Sequence, residues 1–147
     1  MGYALFTARK LALTARVNNL NAQLMEISQQ QMNITNQISA KQNSINLATS
    51  TANAQAASIF KQAIAGAKGD EAAIANAQSA YDEQMANNTL SSTMQSMDIQ
   101  SLKDQDTALD MQRETLETQL NAANNELERV KKAEEGAIKN STPSYVG

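Results

Sequence analysis

The side chains in this sequence most suited to chemistry are acids. Asp104, Asp106 and Asp110 resemble the start of a calcium-binding loop. The glycine that turns such a loop and the glutamate that closes it at its twelfth position are missing, so the three read as a solvated acidic helix face. Asn33-Ile34-Thr35, Asn87-Asn88-Thr89 and Asn140-Ser141-Thr142 match the glycosylation tripeptide, as chance provides in a chain so rich in Asn and Thr. His and Cys are absent, which removes the imidazole base, the thiolate nucleophile, disulfides and the usual zinc ligand sets. There is no glycine-rich phosphate loop either. The expectation is therefore no enzyme, no metal site and no cofactor, and what remains to be read is an architecture and a mode of assembly.

The elements follow from composition. Of 147 residues, 25 are Ala and 15 each are Asn and Gln, whereas aromatics reach 3% and Trp is absent. Such a chain cannot build an ordinary globular core and must be helical or disordered. Pro143 is the only proline, and between Tyr3 and Gly136 the only glycines are Gly66 and Gly69. Asp70 follows as a helix N-cap, with Glu71 in the first turn. This predicts an all-α fold: an antiparallel two-helix hairpin over residues 1–138, with helix 1 about 3–65, a turn about 66–69 and helix 2 about 70–138. Each helix would be roughly 90 Å long at about 1.5 Å per residue. Residues 139–147 should form a non-helical tail, and Gly66, Gly69 and Asp70 are the turn residues.

Heptad counting assigns the seam. With position a at Tyr3 and d at Phe6, apolar residues recur at a and d over nearly nine heptads, a coiled-coil pattern that would run as far as Ala48 and Ile59. The seam residues are Tyr3, Leu13, Val17, Leu20, Leu24, Ile27, Ile34 and Ile38 on the first helix. On the second they are Ile99, Leu102, Leu109, Leu116, Leu120, Leu127 and Val130. A turn centred between Gly66 and Ala67 makes partner numbers add to 133, pairing Tyr3 with Val130, Leu13 with Leu120, Leu24 with Leu109 and Ile34 with Ile99.

The flanks of this seam differ from those of an isolated coiled coil. The e and g positions of the first helix are mostly Thr, Ser, Asn and Gln rather than Glu and Lys. Apolar residues also recur away from the seam, at Leu11, Met25 and Met32 on the first helix and at Leu90, Met97 and Met111 on the second. Spacings of seven and fourteen make these stripes rather than isolated exposed residues, and they predict lateral contacts between copies of the chain.

Charge is polarised. Residues 1–69 carry six basic groups against Glu26, whereas residues 70–147 carry six basic groups against fourteen acids, so the halves attract within a folded-back chain or between copies. The basic groups are spread thinly and lack aromatic neighbours, which argues against nucleic-acid binding. No apolar run is long enough to span a bilayer, and no conventional signal peptide is recognisable.

Long amphipathic helices, abundant Asn, Gln, Ser, Thr and Ala, and no Cys or Trp give residues 3–138 a character that resembles subunits of bacterial filaments exported through flagellar or type III secretion channels. Thr89-Leu90-Ser91-Ser92 is similar to the Leu-Ser-Ser of flagellin's first helical region, but it falls in the second half of this chain and lacks the Gly and Arg that should follow. The resemblance implies unfolded passage through an export machinery, terminal helices packed together, and an extracellular or cell-surface polymer of identical subunits. The alternative reading is an intracellular coiled-coil adaptor or scaffold that pairs with a different helical protein.

Overall fold

The computed structural model describes the chain from Gly2 to Ser141, with side chains from Ala4 to Lys139. It is all-α: helix α1 is Gly2–Ala67 and helix α2 is Glu71–Ser141, packed against each other as a helical hairpin. An amide- and hydroxyl-rich sequence sustains such helices by closing its polar groups locally. Gln23 donates to Asn19, Gln42 to Asn46, Gln78 to Asp82 and Gln100 to Asp104, each across one helical turn. The hydroxyls of Thr89, Thr93, Ser96, Thr115 and Thr118 each donate to the carbonyl four residues back. That back-bonding satisfies groups that would otherwise compete with the helix ladder.

The turn falls later than the glycines alone predict. Gly66 and Ala67 remain helical, and the reversal is made by Lys68 (φ 50°) and Gly69 (φ 85°), both in the left-handed region. Asp70 fixes that location. Its backbone N–H donates to the Ala67 carbonyl at 3.0 Å, its carboxylate accepts from the Ala72 N–H at 3.1 Å, and its carbonyl accepts from the Ile74 N–H at 3.0 Å. An N-cap must sit immediately before its helix, so the cap at Asp70 confines the turn to the two preceding residues, and Gly66 becomes an ordinary helical position. A Cβ on Gly69 would meet no atom within 4 Å. Gly69→Ala should therefore cost backbone strain without a clash, about 1 kcal/mol, measurable as a lowered midpoint in urea unfolding. At the other end α2 continues to Ser141, three residues past the predicted boundary, because nothing before Pro143 breaks it. The rest of the predicted tail, residues 142–147, lies outside the described residues.

The displaced turn also corrects the register. Partner numbers add to 141 for Gln31 with Asp110, Asn53 with Asn88 and Phe60 with Tyr81, and to 139 for Lys41 with Asp98. Positions a and d face each other only at sums that are multiples of seven, of which 140 is the value next to those observed and 133 the one predicted. Moving the turn towards Asp70 selects 140, one heptad from the predicted register. Leu13 then comes level with Leu127 and Leu20 with Leu120, in place of Leu13 with Leu120 and Leu24 with Leu109. Tyr3 is helical, but its side chain lies outside the described residues.

The chain divides into two compact units, one joining Met1–Met32 to Thr107–Gly147 and the other formed by Asn33–Asp106. In the first, burial keeps the predicted seven-residue period. Leu13, Leu20 and Ile27 are buried on α1, Ala123 and Val130 on α2, and Val17, Leu24, Leu109, Leu116, Leu120 and Leu127 are half-buried between them.

In the second unit the period is eleven. Ile34, Ile45 and Ala56 are buried at intervals of eleven on α1, as are Ala77, Asn88 and Ile99 on α2, with Leu102 beside Ile99. Ile38, Asn53, Phe60, Ile64, Tyr81 and Met85 are half-buried around them. The heptad assignment fails here, since Lys41, Ala48 and Ile59, all nominal seam positions, are exposed, whereas Ala56, a nominal flank, is buried. An eleven-residue repeat is about 3.67 residues per turn, longer than the 3.6 of a straight helix, where a heptad is shorter at 3.5. Ile45 lies in the seam on either period, but continuing the heptads would have kept Gln55, Ile59 and Gln62 there, and the longer period brings Ala56, Phe60 and Ile64 instead.

Candidate functional site

Three polar pairs interrupt the apolar seam. Lys10 Nζ lies 3.1 Å from Glu134, whose side chain is almost fully buried. The Gln31 amide donates to Asp110 at 2.6 Å, and in the second unit the Asn88 amide, itself accepting from Gln84, donates to Asn53 at 3.1 Å. The Gln31–Asp110 and Asn53–Asn88 pairs are level in the hairpin register, so a slip by one heptad would strand a buried amide, and such layers fix register; Lys10 instead reaches about one turn along α2 to Glu134, whose Oε2 is buried without a hydrogen bond. The expected attraction between the basic and acidic halves appears in the same contacts. Arg9 pairs with Glu126, Lys10 with Glu134 and Lys41 with Asp98, always from α1 to α2. The exposed pairs contribute little stability in water and mainly set which helices attract.

The acidic triplet is carried on α2, with Asp104 exposed and Asp106 and Asp110 half-buried. Asp110 is engaged by Gln31 and by Arg113 at 3.2 Å. Among the described residues no three His, Cys, Asp or Glu side chains are grouped so as to hold a metal ion, and no helix is long and apolar enough to cross a membrane. The concave features are shallow grooves; one in the first unit is lined by Gln23, Glu26, Gln30, Met111 and Thr115.

The feature left for function is the outer edge of each helix. Leu11, Met25, Met32, Leu90, Met97 and Met111, the residues assigned to contacts between copies, are all strongly exposed. Geometry explains why. Leu11, Met25 and Met32 each lie two residues before a buried seam residue, Leu13, Ile27 and Ile34. Two residues are about 200° of helix rotation, so these side chains point away from α2. Met97 likewise lies two residues before Ile99, and Leu90 two residues after Asn88, which turns it equally far from the seam.

Further members of these edges were not found by the sequence reading. Leu47, 71% exposed, lies two residues beyond buried Ile45, and Met94 lies between Leu90 and Met97 to complete an i, i+4, i+7 row. Leu5, Ile59, Ile74 and Ile138 are also exposed. Counting by sevens misses them: Leu47 lies outside the seven-residue series of Leu11, Met25 and Met32, and Met94 is a helical neighbour of Leu90 rather than its heptad equivalent. Both signals are present in the sequence once the second unit is read at its own period.

Comparison with protein families, curated proteins and solved structures finds no match for this chain.

Proposed function

We propose that this protein is a structural subunit that self-assembles, through the outer edges of its hairpin, into a helical filament or tube outside the cell. The observation that carries the reading is the recurrence of Leu and Met at exposed outer positions of both helices. In the first unit these are Leu11, Met25 and Met32 on α1 and Met111 on α2; in the second they are Leu47 on α1 and Leu90, Met94 and Met97 on α2. A hairpin that functioned alone would place charged residues there, because contiguous exposed apolar surface favours association. Apolar surface on two opposite edges leaves a site open after each addition, and contacts of that kind build rows, rings or filaments rather than closed pairs. The compositional resemblance to subunits exported through narrow channels supports a destination outside the cell, reached through an export machinery.

Negative-stain microscopy of the purified chain tests this directly. Filaments reaching micrometre lengths are the expected result. Discrete dimers or tetramers at every concentration would overturn it in favour of a scaffold that pairs with a different helical protein.

A further inference from the structure

From residue 42 to residue 60, α1 carries no charge, and from 84 to 97 neither does α2; in the hairpin register these stretches are level, so the second unit has an uncharged belt. Within it Leu47 points outward from α1, and Leu90, Met94 and Met97 form a row pointing outward from α2. The residues bounding the belt differ in sign between helices. Lys41 and Lys61 bound it on α1, whereas Asp82, Glu83 and Asp98 bound it on α2. The imbalance extends beyond the belt: α1 has no acid between 33 and 67, whereas α2 between 71 and 106 has six acids and one base, Lys103.

We infer that the belt is the contact between successive copies, and that it is heterologous: the α1 edge around Leu47 of one copy seats against the Leu90–Met94–Met97 row of the next. This rests on the self-assembly reading and specifies its geometry. A second copy of the chain is the occupant the charges select. Two α1 edges would oppose lysines and two α2 edges would oppose carboxylates, whereas α1 against α2 brings Lys61 to Asp82 and Glu83 at one end of the belt; at the other end Lys41 already pairs with Asp98 of its own hairpin, at 3.9 Å. The belt itself is free of charge, so closing it desolvates no ion, and the Thr89, Thr93 and Ser96 hydroxyls beside the apolar row already donate within α2, so covering them strands no donor. Because the two edges point in opposite directions, each bound copy leaves one α1 edge and one α2 edge free, and growth continues.

Complementation between two variants tests this. Leu47→Glu spoils only the α1 edge and Met94→Glu only the α2 edge, and neither touches the seam. Each variant alone should sediment as single hairpins where the parent assembles, with self-association weakened at least about a hundredfold by an unpaired charge in an apolar contact. Mixed, they should form a two-chain species and nothing larger, since each still offers one intact edge to the other. Circular dichroism of each variant checks that the hairpin is retained. If Met94→Glu abolishes assembly but Leu47→Glu does not, or if the mixture fails to pair, the contact is not heterologous. If both variants assemble like the parent while Met25→Glu does not, the belt is not the contact although self-assembly stands. A parent that stays single-chain at every concentration overturns the self-assembly reading as well.

Discussion

Ala56→Glu should unfold much of the second unit, whereas Ile59→Glu should leave its helicity unchanged. A seven-residue seam requires the opposite ranking, because it makes Ile59 a core residue and Ala56 a flank. In the structure Ala56 is 4% exposed and Ile59 is 65% exposed. Glutamate at position 56 would force a longer side chain between closely approaching helices and strand a carboxylate there, costing on the order of 3 kcal/mol or more. At position 59 it would stand in water. Far-ultraviolet circular dichroism through thermal unfolding, at a concentration low enough to keep copies apart, checks the pair. Equal loss of helicity in both variants, or a greater loss from Ile59→Glu, would refute the eleven-residue period.

The second large effect separates folding from assembly in the first unit. Leu20 is 4% exposed, and Leu20→Glu should cost several kcal/mol, removing buried apolar surface and leaving a carboxylate without a partner. Helicity and assembly should then fall together. Met25 is 67% exposed on the outer edge, so Met25→Glu should preserve the unfolding midpoint within about 0.5 kcal/mol while weakening association. Sedimentation velocity alongside circular dichroism reads both quantities. A Met25→Glu variant that sediments like the parent would show that this stretch of the α1 edge faces water in the assembly.

The helical hairpin was legible in the sequence because the absence of breakers is an unambiguous signal over so long a span. In the first unit the period was legible too: Leu13, Leu20 and Ile27 stand out against Thr, Asn and Gln. In the second unit the seam is built from Ala56, Ala77, Asn53 and Asn88, which differ little in hydropathy from their neighbours, so sevens and elevens fit the composition almost equally well. Ile59 then captured the heptad assignment, although it faces outward. The turn was misplaced for a related reason. Gly66 and Gly69 are equal candidates by residue type, and only the cap bonds of Asp70 choose between them. A turn shifted by so few residues moved every predicted pairing by a whole heptad, because the seam admits no smaller step. Of the outer edges, the residues spaced by seven or fourteen were visible, whereas Leu47 and Met94 required the correct period and the i, i+4 neighbour relation.

The ring pair nearest the turn dictates an order of events as the chain folds. Phe60 and Tyr81 meet with centroids 5.0 Å apart across a loop of about twenty residues, whereas Lys10 and Glu134 are 124 residues apart. Closing the longer loop from the unfolded chain costs about 1.6 kcal/mol more in entropy, so first contact belongs to the aromatic pair. Once it forms, each further layer should close against one already in place at only a local cost, so the hairpin is expected to zip from its turn towards its termini. Substitutions at Phe60 and Tyr81 should therefore slow folding, whereas those around Lys10 and Glu134 should chiefly hasten unfolding.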